Sequence, residues 1–338
     1  MAGRVDDAIA DYTSALELFP GSVLALYSRG LLLLDQKDDP QAALGDFSLL
    51  VSIDPNDKTY QLDLARAYQG IGNTDAAFAA TSKALELDPE YVQAYRIRGD
   101  LYSIQGHVTE AIADYSKAIE INPDYDLAFK LRGELYRKLE RNEAAVADFT
   151  RAIEIDPEYG EAILSRAYAL MSLGQYESAV EELTRALELY PDHSWAIFAR
   201  GRSYRHLQRY DLAILDLAKA GAAGEIYASL FLYLTEWPQD EGLARDHLEE
   251  AASSSGSQDW PGPILDYLLG ATSRDALLAT ASNPGEKCEA HFYVASDLLV
   301  RKETEAAIDL LRKAVSICPH DYIEYEEARA ELAALTSP

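Results

Sequence analysis

Two short strings hold the residue types that bind metal or exchange thiols: Cys-Glu-Ala-His at 288–291 and Cys-Pro-His at 318–320. Cysteine and histidine together can ligate zinc, two cysteines can form a disulfide, and in a reducing compartment both stay as thiols. All three readings of Cys288, Cys318, His291 and His320 are open on sequence alone. If the segment is a helical hairpin, Cys288 and Cys318 are neighbours, because the first helix starts beside the end of the second. His291 also occupies a position on an inward helix face, where packing accounts for it. No catalytic constellation accompanies the cluster. There is no Gly-rich phosphate loop, no His-Glu-x-x-His and no Gly-x-Ser-x-Gly, and the six histidines are scattered. The chain therefore reads as a non-enzyme without a cofactor and with no metal site assigned.

A second set of chemically able residues lies where helices normally bury apolar side chains. In Tyr95–Pro123, Tyr95, Gly99 and Tyr102 mark one inward seam and Arg98 falls on it; Ala111, Tyr115 and Ala118 mark another, and Asp114 falls on that. The same places recur. Arg29, Arg98, Arg132, Arg166 and Arg200 correspond, as do Asp46, Asp114, Asp148, Glu182 and Asp216. Two units break the rule and break it twice, with Leu64 beside Ala80 and Val294 beside Leu310. Charge with charge and apolar with apolar predicts a partly buried Arg–carboxylate pair inside each hairpin, since an arginine fork can bond a carboxylate twice. The functional reading, arginines lining a ligand site, is the weaker account of so regular a device.

What positions these residues is a repeat. Prolines fall at Pro20, Pro55, Pro89, Pro123, Pro157 and Pro191, 34 or 35 residues apart. Five residues before them stand Ala15, Leu50, Ala84, Ala118, Ala152 and Ala186, and twelve before stand Ala8, Ala43, Ala77, Ala111, Ala145 and Ala179. Small residues let backbones approach; the proline ends the second helix of each pair. Each unit is a helical hairpin that buries its faces only by stacking.

The pattern resembles the tetratricopeptide repeat family over residues 1 to about 225, and again at 286–319 through Ala295, Ala307, Leu311, Ala314 and Pro319. The resemblance implies an all-α, right-handed superhelical solenoid and a protein-binding adaptor or scaffold. The expected division is a partial unit with only a second helix at 1–20, the array at 21–225, degenerate hairpins at 226–285, a further unit at 286–319 and a C-terminal capping helix at 320–338. The stretch Ser253–Pro263 reads as linker-like. From Trp260 onward the chain also resembles the NlpI family of bacterial lipoproteins, which implies a bacterial cell-envelope adaptor, although the lipidation cysteine of that family is absent.

On the geometry the family implies, first helices face a concave groove, with Arg96, Lys130, Glu134, Arg137, Tyr168, Trp195, Phe198, Arg202 and Arg205 turned into it. A basic, aromatic groove favours a protein or peptide partner with acidic or C-terminal carboxylate groups and one or two apolar anchors. The asparagine that grips a C-terminal carboxylate in chaperone-binding members is replaced here by Arg66, Asp100, Glu134, Tyr168 or Arg202, which argues against that subclass. The alternatives are a cytoplasmic regulator of a signalling or secretion partner, and a thiol or metal-binding protein acting through Cys288 and Cys318.

The composition, 48% hydrophobic and 26% charged, is that of a folded protein. A net charge of −27 argues against nucleic acid and anionic membrane as partners. No apolar run is long enough for a transmembrane segment. The repeat begins at a second helix, which predicts that another helix, with or without a signal sequence, precedes it. With an upstream signal the location is the periplasm or cell envelope; without one it is the cytoplasm.

Overall fold

The computed structural model describes residues 2–255, 259–320 and 322–336. Among them are twenty α-helices and no strand: α1 Ala2–Leu18, α2 Val23–Asp35, α3 Pro40–Ile53, α4 Lys58–Gly70, α5 Thr74–Leu87, α6 Val92–Ile104, α7 Val108–Ile121, α8 Asp126–Lys138, α9 Asn142–Ile155, α10 Gly160–Ser172, α11 Tyr176–Leu189, α12 Ser194–His206, α13 Tyr210–Ala222, α14 Ile226–Glu236, α15 Glu241–Ser255, α16 Gly262–Leu268, α17 Arg274–Thr280, α18 Pro284–Val300, α19 Thr304–Ile317 and α20 Ile323–Thr336. This is the all-α repeat solenoid expected from the period. Of the linker-like stretch, residues 256–258 lie outside the described residues. No described helix is long and apolar enough to cross a membrane.

The local chemistry explains the boundaries. Ser22, Asp39, Asp57 and Asn73 cap α2, α3, α4 and α5 by accepting backbone N–H groups of the first turn. Each anchor proline follows a residue in extended or non-helical conformation, such as Asp54, Asp88 and Asn122, which ends the second helix. Within hairpins the chain reverses through a residue at positive φ. Gly106 (φ 77°) does this without strain, whereas Glu140 (φ 56°) does it as a non-glycine.

The chain divides into two compact units: Met1–Leu135 with Glu154–Asp156, and Tyr136–Ile153 with Pro157–Pro338. In the first, α1 to α7 pack in sequence, and α4 stacks directly on α6. The close approach predicted at the small seam residues is visible: a Cβ on Gly99 would stand 2.6 Å from the Tyr115 ring, and one on Gly30 would stand 2.9 Å from Phe47. In the second unit α10 stacks on α12 and α12 on α14. Helix α14 is buried from Ala228 to Glu236 and forms the centre of a large core with Phe198, Phe292 and Tyr293.

The seam charges pair within hairpins. Arg29 bonds Asp46 at 2.9 and 2.7 Å, Arg98 bonds Asp114 at 2.7 and 2.7 Å, and Arg200 bonds Asp216 at 2.7 and 2.9 Å, each as a two-bond fork. These hydrogen bonds raise the arginine pKa against the opposing effect of burial. Arg166 reaches Glu182 through one bond of 2.6 Å, and the extra methylene of glutamate leaves Arg166 Nε and Glu182 Oε2 buried without partners. Four of the seam arginines also have a second arm. Arg29 donates to Thr13, Arg132 to Ser116, Arg166 to Thr150 and Arg200 to Thr184, at 2.9–3.2 Å and always sixteen residues back. The signal was present, since Thr13, Ser48, Ser82, Ser116, Thr150 and Thr184 all stand seven residues before an anchor proline.

Candidate interaction face of the second unit

Three helices build a charged, buried surface around Arg202, Glu324 and Glu327. Helix α12 offers Arg202, Arg205 and His206 on consecutive turns, α10 offers Tyr168 and Ser172, and α20 lies against them. Glu324, Glu327 and Glu331 of α20 share one face of that helix, by their spacing of three and four. Arg202, only 4% exposed, donates from Nε and Nη2 to Glu327 Oε1 at 2.9 and 2.7 Å. Arg205 reaches Glu327 Oε2 at 3.3 Å and Glu331 Oε1 at 2.7 Å. His206 Nε2 donates to Glu327 Oε2 at 3.0 Å, and Ser172 Oγ bonds Glu326. Aromatic rings close the arrangement: Tyr176 stacks on His206 with centroids 4.1 Å apart, and the Arg202 guanidinium stands 5.7 Å from the centres of Phe198 and Phe231.

Burial alone would raise the Glu327 carboxyl, but His206, Arg202 and Arg205 outweigh it and hold the group well below the usual carboxylate range. Glu324 is the opposite case. Buried beside Glu289, with Tyr293 as its hydroxyl donor at 3.1 Å, it is pushed up to about 7. Glu289 is also raised by burial, and accepts from Tyr227 at 3.0 Å and Trp260 at 2.9 Å.

The residues read as groove-lining therefore fall into three groups. Arg202 and Arg205 are paired by the chain's own α20, and Phe198 is fully buried against Trp195 and Phe231. This corrects the expectation that they stand open to a partner. The carboxylates expected of a partner protein or peptide are here supplied at Arg202 and Arg205 by Glu327 and Glu331 of the terminal helix. Arg96 and Lys130, in the first unit, pair along their own helices with Asp100 at 2.6 Å and Glu134 at 2.9 Å. Arg137, Tyr168 and Trp195 remain. They line a cleft of about 210 Å³ whose far wall includes Arg202, His320, Ile323 and Glu326. Trp195 is 44% exposed, and Arg137, half-buried, makes no ion pair among the described residues. A neighbouring space of about 300 Å³ continues from Arg137 past Ser172 along α20.

Sequence reasoning missed Glu326, Glu327, Glu331, His206 and Ser172. A usable signal was the placing of Glu324, Glu327 and Glu331 at the spacing of a buried helix face, opposite a run of cations with no assigned partner.

The cysteine cluster is a disulfide. Cys288 and Cys318 are bonded to each other, with Cα atoms 4.7 Å apart, and both are buried. The sulfurs are thus neither free thiols nor zinc ligands. His291 Nδ1 lies 2.6 Å from the Lys287 carbonyl on its own helix, and His320 pairs with Glu140 and stacks on Tyr325. Among the described residues no group of three or more His, Cys, Asp or Glu side chains could hold a metal ion.

Comparison with known proteins bears on the whole array. Residues 2–58, 59–91 and 136–196 each match a model described as tetratricopeptide repeat, and 99–139 match one described as TPR repeat. Together these cover more than half of the chain. Among solved structures, a tetratricopeptide repeat protein from Parabacteroides merdae ATCC 43184 is 19% identical, with a TM-score of 0.50 over 74% of this chain and 98% of that one. The Cut9–Hcn1 hetero-tetramer of the APC/C is 19% identical, with a TM-score of 0.51 over 79% of this chain and 52% of that one. YrrB, described as a TPR protein with an unusual peptide-binding site, is 25% identical, with a TM-score of 0.47 over 52% of this chain and 90% of that one.

Proposed function

The chain belongs to the tetratricopeptide repeat family and is by that membership a protein-interaction scaffold; we propose that it holds a partner through an acidic segment docked on the first-helix face of its second unit. One observation carries this reading: Arg137, which makes no ion pair among the described residues, stands in a cleft beside Tyr168 and the exposed Trp195. A guanidinium donates two hydrogen bonds to a carboxylate, and an adjoining indole face gives an apolar side chain its anchor. Arg96, Lys130 and Glu134 belong to the same proposal as a separate polar surface of the first unit, with their intrahelical pairs available for exchange with partner groups.

The reading places the protein in a bacterial cell envelope. Support comes from the buried disulfide, a bond typical of oxidising compartments, and from the likeness of the C-terminal part to the NlpI family. The decisive experiment is affinity capture with the unaltered chain, then with Arg137→Glu and Trp195→Ala combined. Loss of the captured protein by the double variant is expected. Capture of the same protein at undiminished yield by a folded double variant overturns the docking site. Alkylation of thiols in intact cells checks the compartment: Cys288 and Cys318 should be blocked until reductant is added.

A further inference from the structure

Helix α20 is seated by charge as well as by apolar burial, with Ile323 and Leu332 partly buried against the core that holds Tyr325 and Ala328. Its buried residues are Glu324, Tyr325, Glu327 and Ala328. Two of the four are carboxylates, and Glu327 alone meets Arg202, Arg205 and His206. Ion pairs of this kind fix register and partner choice, while contributing little net free energy against a competitor with the same charges. Beside the exposure of those apolar contacts, removing α20 leaves a set of cations buried and bare. An incoming segment that brings its own carboxylates removes that cost.

The foothold for such a segment adjoins the seat. His320, Ile323 and Glu326 of the α20 region form one wall of the cleft that Arg137, Tyr168 and Trp195 form on the other. A segment held by Arg137 and Trp195 lies directly against the edge of α20. We infer that the surface of α10 and α12 beneath α20 is an exchangeable docking site, and that its incoming occupant is an acidic amphipathic helix of a partner protein repeating the Glu324–Glu327–Glu331 spacing. The inference rests on the docking reading above, with the cleft as the point of entry. Exchange proceeds from the cleft inward, one carboxylate for another, so Arg202 and Arg205 are never buried without a counter-ion.

The probe is a carbon-13-labelled synthetic peptide with the sequence of residues 322–336, added to the whole chain. A control peptide carries glutamine at the places of Glu327 and Glu331. A variant Glu331→Gln loosens α20 mildly, because Glu327 still holds Arg205. The labelled peptide is expected to bind the Glu331→Gln chain at least tenfold more tightly than the unaltered chain, and the glutamine peptide to bind neither. Independently of any variant, saturating peptide should speed hydrogen exchange of the α20 amides of the unaltered chain. Equal affinity for both chains, no binding by either, equal binding of the glutamine peptide, or unchanged α20 exchange at saturation overturns the inference. The two proposals fail separately. Partner capture that ignores Arg137 while the peptide exchanges removes only the cleft reading; the reverse result removes only this one.

Discussion

The Arg98–Asp114 pair offers a test of what the seam charges contribute. Both bonds of the fork are 2.7 Å, Arg98 is 25% exposed at its side chain and Asp114 only 8%. Replacing Arg98 by leucine strands a carboxylate that has almost no access to water. The loss of one partner of a fully buried pair costs about 3–5 kcal/mol; the partial exposure of this one reduces the expectation to about 2–3 kcal/mol. Asp114→Ala leaves a guanidinium that can still turn toward solvent and rest against the Tyr95 ring 5.4 Å away, so about 1–2 kcal/mol is expected. The double variant Arg98→Leu/Asp114→Ala copies the chain's own Leu64 and Ala80, both buried, and should lie within about 1 kcal/mol of the parent. The coupling energy is then at least about 2 kcal/mol. Urea unfolding gives the global values, and hydrogen exchange of the α7 amides gives the local ones, which matter because repeat arrays need not unfold in two states. Additivity of the two single changes to within about 0.5 kcal/mol would refute the reasoning.

Four further outcomes are expected. Glu182→Asp should restore the two-bond fork to Arg166, satisfy the buried atoms now without partners, and stabilise the chain by about 1 kcal/mol in urea titration. Gly99→Ala forces the Tyr115 ring from its contact and should destabilise by about 1–3 kcal/mol, whereas Gly45→Ala, with open space around it, should not destabilise through any clash. Glu324 has a folded-state pKa of about 7 against 4.5 unfolded, so its favourable neutral form is fully present below pH 4.5 and lost as pH rises through 7. Glu324→Gln should therefore match the parent near pH 4 and exceed it by about 2–3 kcal/mol at pH 8 in thermal or urea melts; a gap that does not widen with pH contradicts this. Reducing Cys288–Cys318 frees a loop of thirty residues' separation and should cost about 3–4 kcal/mol by chain entropy, read as early exchange of α18 and α19 with α2 to α5 unchanged.

The period, the hairpins and the fork pairs could be read from the chain because each is set by residues within one or two turns or one unit of each other. Arg98 and Asp114 are sixteen apart, and their covariation with Leu64 and Ala80 exposes their contact. The Ser and Thr arms were equally local and were simply not weighed, since hydroxyls on a helix usually bond their own backbone, as Thr13 also does with Ile9. The seat of α20 is different. Arg202 and Glu327 are separated by 125 positions, and no repeat or spacing rule connects them. A helix with glutamate at every buried turn looks like a solvated end-cap until the cations opposite it are known. Phe198 and Arg202 share a helix face by their spacing of four, but a sequence cannot show that Glu327 already occupies Arg202.

The two-armed arginine carries a consequence for how such a chain can grow. Arg166 and Arg200 each find an acid sixteen residues ahead and a hydroxyl sixteen behind, and Arg29 finds its acid seventeen ahead and its hydroxyl sixteen behind. Copy a block of 34 residues that carries such an arginine in place, and the new arginine meets a hydroxyl in the old unit while the new hydroxyl awaits the next arginine. Deletion of a block closes the same way. Where a unit carries them, the connectors belong to the period and not to that unit alone, so duplication of such a unit by unequal crossing-over yields junctions whose charges are already paired.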